Sequence, residues 1–206
     1  MTAPALRVPY ITAWSGELIT APLMFAHHAE AGGPRLTYAD PTLCDWQYGV
    51  LRARLGLQRG GRPEWKLVNT LRQWRCMEHW LCQVCGTSAI DPVTGRVSWL
   101  LDDDIDSTAP DQGYTNAPPT CRACIPEALA SCPRLRRGAA AYTAADVEPF
   151  AVLGHVFRPT QGRGAEVVDR NVMVRLEEFD RLTRTLAHQL VVLLSGLERV
   201  PIRALT

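Results

Sequence analysis

Apolar positions recur along this chain in two rhythms, one helical and one extended. Leu67, Leu71, Trp74, Met77 and Leu81 follow one another at three- and four-residue steps, which places them on one face of an α-helix. Pro63 suits the first helical position and Glu64 the first turn, so the pattern predicts a helix over 63–80. A second stripe, Leu176, Phe179, Leu182, Leu186, Leu190, Leu193 and Leu197, keeps the same steps and predicts a long C-terminal helix over 176–197. Residues 45–57 predict a shorter helix, ended by Gln58-Arg59-Gly60-Gly61-Arg62. Extended structure is expected for Val8, Tyr10, Ile11 and Trp14, up to the break at Ser15-Gly16, and for a strand pair over 150–157 and 165–174. Residues 102–119 are acidic, then rich in Pro, Gly and Asn, and read as a loop.

Candidate chemistry enters with two cysteine pairs. Cys82-Gln83-Val84-Cys85 follows the first predicted helix, and Cys121-Arg122-Ala123-Cys124 opens a short helix that Pro133 stops. Two thiolates three positions apart chelate one cation from a tight turn, and four complete the tetrahedron that zinc prefers. Between the pairs, residues 90–101 read as a hairpin turning at Asp91-Pro92-Val93-Thr94-Gly95. This order of knuckle, hairpin and helix resembles the treble-clef zinc finger over 81–132. The resemblance implies a structural zinc ion on Cys82, Cys85, Cys121 and Cys124. The strings LCQVCG, PPTCRAC, SCPRL and PYITAWSGE are also similar to a group of actinobacterial Cys-x-x-Cys proteins of unassigned activity, a likeness that supports the zinc site and implies no reaction. The expected fold is therefore α+β and a single domain over 1–206. A treble-clef centre is flanked by an N-terminal helical region and a C-terminal β-hairpin plus long helix.

Other readings of the cysteines compete less well. Free thiols pack as small hydrophobes, and a Cys-x-x-Cys redox pair would call for a βαβ context that is missing here. Cys44, Cys76 and Cys132 lack ligand spacing and read as packing residues. His79 precedes Cys82 by three positions, and is either a substitute ligand, a support for the site or a surface residue. Seven cysteines without a secretory signal at the N-terminus point to the reducing cytoplasm rather than to a disulfide framework. No apolar run is long enough to span a membrane.

A formal charge of +1 excludes a globally basic protein, so any nucleic-acid contact has to come from a local patch. Residues 52–75 supply a candidate, with Arg52, Arg54, Arg59, Arg62, Lys66, Arg72 and Arg75 against Glu64 alone. An arginine-rich face carrying Arg59, Arg62, Lys66, Arg72 and Arg75, with Trp65 to stack on a base, predicts DNA or RNA binding. The same residues also fit the solvated side of two helices. Arg134, Arg136 and Arg137 would extend the patch or pair with the acidic loop. A protein partner, met through the C-terminal leucine stripe, is the alternative function. An enzyme of undefined chemistry is the third, and would need His27 and His28 with Glu30, or the Asp102, Asp103, Asp104 and Asp106 cluster, to converge in a pocket. The hairpin carries no histidine of the kind that treble-clef nucleases use. His155 and His188 stand isolated in the sequence.

Overall fold

The computed structural model describes residues 7–28, 33–102, 106–162 and 164–204. In chain order, β1 (Thr12–Trp14) runs into a 3-10 turn (Ser15–Glu17) and is followed by β2 (Leu23–His28) and β3 (Gly33–Tyr38), which pair antiparallel. Residues 45–57 do not form the expected helix. A 3-10 turn over Leu43–Asp45 leads into β4 (Trp46–Gln47) and β5 (Val50–Arg52), joined through Tyr48 and Gly49, both at positive φ. Two consecutive positive φ values are what a two-residue hairpin turn needs to match the twist of its strands, and Gly49 supplies one without strain.

The helix expected over 63–80 is shorter and starts later. Residues Pro63–Val68 form β6 and pair with β1, and α1 spans Thr70–Glu78. Asn69 is the reason for the boundary: its side-chain oxygen accepts from the Arg72 amide at 3.1 Å, a cap that ends the strand and opens the helix. Then come β7 (Val97–Leu101), β8 (Asp106–Ala109), β9 (Gln112–Thr115), α2 (Ile125–Ser131) and β10 (Ala140–Ala144). The short β8–β9 hairpin lies where only a loop is expected. The predicted C-terminal strand pair is present and longer than expected, as β11 (Asp146–Pro159) and β12 (Ala165–Arg175).

The long C-terminal helix is not formed. One turn, α3 (Phe179–Leu182), is followed by the strand β13 (Thr185–Ser195) and by β14 (Glu198–Val200). Residues Leu190 to Leu194 are five consecutive apolar side chains that include β-branched Val191 and Val192. Such a run suits a central strand covered on both faces better than a one-sided helix. In the structure β13 pairs with β11 on one edge, and on the other with β5 at Leu186–Ala187 and β9 at Val192–Ser195. Between β5 and β9 that edge is closed by a side chain. Gln73 of α1, itself fully buried, donates to the Leu190 carbonyl and accepts from the Leu190 amide, both at 2.9 Å.

The larger sheet runs β12-β11-β13-β5-β4, with β9 on β13 and β8 on β9. A smaller sheet, β14-β10-β7, shares the main core with it: Trp99 and Ala140 from the small sheet, Val152, Leu190 and Leu194 from the large one, and Trp74 and Met77 from α1. On the outer face of the small sheet, Ile125 of α2 packs against Leu100 and Ala141. Gly154 in β11 has no room for a side chain, because a Cβ there would lie 2.3 Å from the Leu186 carbonyl oxygen. In the large sheet the pairings of β13 with β11, β5 and β9 join distant segments, and the turn that leads into α2 brings the second cysteine pair to the small sheet.

Candidate metal centre

The two cysteine pairs meet at the edge of the small sheet. The sulfurs of Cys82, Cys85, Cys121 and Cys124 all lie within 4.8 Å of one another, with Cys85 Sγ and Cys121 Sγ 3.7 Å apart. Zinc–sulfur bonds of about 2.3 Å in a tetrahedron hold sulfurs about 3.8 Å apart, so the donor set fits one divalent cation. Cys82 and Cys124 are buried and Cys85 and Cys121 half-buried.

Local sequence explains the knuckle. The Cys82 amide donates to the Thr87 carbonyl and the Gly86 amide to the Cys82 carbonyl, which closes a turn around the first pair. Gly86 sits at φ 77°, and a Cβ on it would lie 2.9 Å from the Tyr10 ring, so both its conformation and the close approach require glycine. The Val84 amide points at Cys82 Sγ at 3.4 Å, and the Thr87 hydroxyl lies 3.0 Å from Cys85 Sγ. Such donors favour thiolate over thiol and orient the sulfurs for a metal. Across the cluster, Cys121 precedes a 3-10 turn that runs directly into α2, and Arg122 in that turn pairs with Asp91 Oδ2 at 2.8 Å. Asp91 Oδ1 meanwhile accepts from the Val93 and Thr94 amides, so the 91–95 turn and the second knuckle are pinned together. Of the expected 90–101 hairpin only this turn, a bridge between Ile90 and Val97, and β7 are formed.

Burial pushes the Cys82 thiol up to about 11 and raises Cys124 as well. Burial also opposes ionisation of Cys85, but hydrogen bonds with Thr87 and the neighbouring sulfurs bring it down to about 7. Four thiolates this close would repel one another strongly, and a bound cation is what removes that repulsion. The cluster also ties distant chain together: the Tyr10 and Ile11 amides donate to the Val84 and Gln83 carbonyls, and the Gln83 amide to the Pro119 carbonyl.

The remaining candidates do not join it. His79 is exposed at the C-cap of α1, Cys76 is buried, Cys132 half-buried and Cys44 exposed. His27 is exposed on β2, whereas Glu30, Asp103, Asp104 and the side chains of His28 and Asp106 lie outside the described residues. Asp102 pairs with Arg134 at 2.5 Å, which makes it an internal partner for the basic turn.

The arginine-rich stretch is dispersed. Arg72 is not on the surface at all: it is 3% exposed, and its guanidinium is held by Glu17 at 2.6 and 2.7 Å and by the Thr12 carbonyl at 2.7 Å. Glu17 is itself fully buried, and also accepts from the Trp14 amide and from Asn69 Nδ2. Arg54 is bound to Asp40 and Asp45, and Arg62 to Glu64. Arg59 lies over the Tyr10 ring and donates to the Tyr10 carbonyl. Lys66 and Arg75 are exposed and have no carboxylate partner among the described residues. Nor are His155 and His188 isolated: on adjacent strands their ring centroids stand 4.6 Å apart, and His188 Nε2 is buried without a hydrogen-bond partner. Two lone histidines more than thirty positions apart give no sequence signal of such a pair.

Comparison with protein-family models, with curated proteins and with solved structures finds no match to this chain. Fold and site alone therefore define its class: a strand-rich α+β protein with a four-cysteine cluster, beside its main core, that could hold a metal ion. No helix among the described residues is long and apolar enough to cross a membrane.

Proposed function

We propose that Cys82, Cys85, Cys121 and Cys124 hold one structural zinc ion in a treble-clef-like site, and that the chain, a single domain over 1–206, is a zinc-stabilised binding protein whose partner is another protein. The observation that carries the metal assignment is the set of four sulfurs within 4.8 Å; the exposed Trp65 and Leu67 favour a protein partner. Four protein donors fill a tetrahedral ion and leave no position for substrate or catalytic water, which is the mark of a structural site. The knuckle on the first pair, the 91–95 turn with β7, and the second pair in the turn that opens α2 support the treble-clef reading, with β8 and β9 inserted between β7 and α2. Zinc-bound thiolates suit a reducing compartment, and we place the protein in the cytoplasm.

Nucleic-acid binding is the second reading, favoured by the exposure of Trp65, Arg62, Lys66 and Arg75. It is weakened by the loss of Arg72 to the core and by the carboxylates already bound to Arg54 and Arg62. Elemental analysis of the purified chain tests the first reading, with one zinc per chain expected and cooperative unfolding at lower temperature after chelation. A zinc-free chain with the same melting temperature refutes it. Fluorescence anisotropy with labelled DNA and RNA across a salt series decides the partner class: binding that falls steeply with salt would restore the nucleic-acid reading.

A further inference from the structure

Trp65 at 55% and Leu67 at 40% are exposed on β6, Ile19 at 51% lines a groove with Leu67, and Leu18 at 53% and Leu57 at 61% are exposed on the paired 17–19 and 55–57 segments. They are brought together by the fold. A bridge sets Leu18 beside Leu55, and the Gly56 amide donates to the Glu17 carbonyl, so the 17–19 and 55–57 segments run side by side. Against β1, the register of β6 jumps from Ala13↔Glu64 to Thr12↔Val68, so Trp65, Lys66 and Leu67 bulge out as a ridge. Bulges re-aim side chains in this way, and this one aims an indole and a leucine away from the core.

The ridge separates two grooves that share Leu67 and Val68 as lining. One, of about 460 Å³, runs toward the metal centre between Ile11, Trp65, Val84 and Leu135. The other, of about 230 Å³, lies between Ile19, Leu23, Leu55 and His188. Apolar side chains make up much of both linings, Ile11, Leu67, Val68, Val84 and Leu135 in the larger and Ile19, Leu23, Leu55 and Leu186 in the smaller, and Arg7 and Arg54, the cations that line them, already face carboxylates. An aromatic anchor beside apolar pockets is the composition of a protein-binding hot spot. The outer edge of β6 has no partner strand, because β1 is its only neighbour among the described strands. An open edge accepts an extended polypeptide, whose alternate side chains then fall into pockets on either side.

Charge decides what that polypeptide carries. Arg7 and Glu127 line the larger groove, Arg59 reaches the Tyr10 carbonyl between two of its lining residues, Pro9 and Ile11, and Glu64 and Lys66 lie on β6 itself with Arg62 just before it. Glu64 is bound to Arg62 and Glu127 lies 3.7 Å from Arg7, which leaves Arg59 and Lys66 without a carboxylate among the described residues. Arg54 also lines the smaller groove, but is already neutralised by Asp40 and Asp45.

We infer that Trp65, Leu67 and the two grooves that meet at them are the docking surface for a partner protein, which lays down an extended segment of apolar residues flanked by aspartate or glutamate. The inference rests on the protein-binding reading above and adds to it the place and the chemistry of the contact.

A random peptide library displayed on phage, selected against the zinc-loaded full-length chain, tests it, with the selected sequences then made as labelled peptides for anisotropy. The expected outcome is enrichment of peptides that alternate apolar and acidic residues. Their affinity should fall at least tenfold in Trp65→Ala and in Leu67→Asp, and less, with a reduced salt dependence, in Lys66→Glu and Arg59→Glu. Both apolar positions are exposed, so each variant should keep the wild-type melting temperature and zinc content. Peptides that bind both apolar variants as well as wild type, or a selection that enriches nothing, overturn the inference. So does a single-stranded oligonucleotide, or a second copy of the chain seen by sedimentation, whose binding is lost in Trp65→Ala. Zinc content is read separately, so the metal assignment can fail while the docking surface stands, and the reverse.

Discussion

Replacing Glu17 with alanine should be among the most damaging single changes in this protein. The carboxylate is fully buried and makes four hydrogen bonds, two to the Arg72 guanidinium, one to the Trp14 amide and one to Asn69. Its removal leaves a cation that is 3% exposed with no counter-charge, and orphans two further donors. Breaking a buried pair from one side costs about 3–5 kcal/mol, which is a large part of the roughly 5–15 kcal/mol that holds a typical domain folded. Because Glu17 ends the turn after β1 while Asn69 caps α1 and also donates to the Gly56 carbonyl, the loss should be global rather than local.

Urea denaturation of wild type, Glu17→Ala, Arg72→Met and the double variant checks this. The midpoint should drop at unchanged slope in each single variant, and the double variant should be clearly less destabilised than the sum, since it no longer buries an unpaired charge. Burial opposes ionisation of Glu17, but the bonds from Arg72, Trp14 and Asn69 outweigh it and hold its pKa below the usual 4.5. The folded state thus favours the ionised form, and its contribution is present above pH 4.5 and lost as the pH falls through the lowered value. A loss below about 1 kcal/mol in Glu17→Ala, or strict additivity in the double variant, would refute the assignment of this pair as a buried, unscreened contact.

Three further outcomes follow from the same structure. Cys124→Ser should abolish stoichiometric zinc and lower the melting temperature, whereas Cys132→Ser, outside the cluster, should leave zinc content unchanged; elemental analysis with thermal denaturation distinguishes them. Burial, and to a lesser degree His155, lowers the pKa of His188 from 6.5 to about 4, so stability should be intact above pH 6.5 and decline by up to about 3 kcal/mol as pH falls toward 4; His188→Leu should remove that slope in pH-dependent urea melts. Gln73→Leu deprives the Leu190 amide and carbonyl of their partner within the core, at about 1–3 kcal/mol for each buried group, and a midpoint shift below about 1 kcal/mol would show that edge to be satisfied in another way.

What the sequence discloses and what it hides follow from how far apart the interacting groups stand. Chelation by a tight turn demands a fixed local spacing, so the pairs Cys82/Cys85 and Cys121/Cys124 announce themselves, and only their meeting in space has to be supplied by the fold. Asn69 and Gly49 are equally local signals, whose chemistry says where a strand ends or turns, and they outrank the three- and four-residue spacing that runs across them. That spacing is ambiguous in principle: Leu186, Leu190 and Leu193 fit one helical face, yet the same run fits a strand if both of its faces are covered. Whether they are covered depends on segments a hundred positions away. Trp74 and Met77 pack into the same core as Leu190, and Gln73, 117 positions before it, takes up the Leu190 backbone groups where no neighbouring strand reaches them. A helix satisfies its own backbone and needs no such partner, whereas a central strand must find one for every buried amide and carbonyl. The choice between helix and strand at the C-terminus was therefore settled by Gln73, β5, β9 and β11 together, none of which the local pattern of leucines contains. Arg72 obeys the same rule from the other side: one turn along α1 from exposed Arg75 and identical in type, it is a core residue only because Glu17, 55 positions earlier, is folded against it.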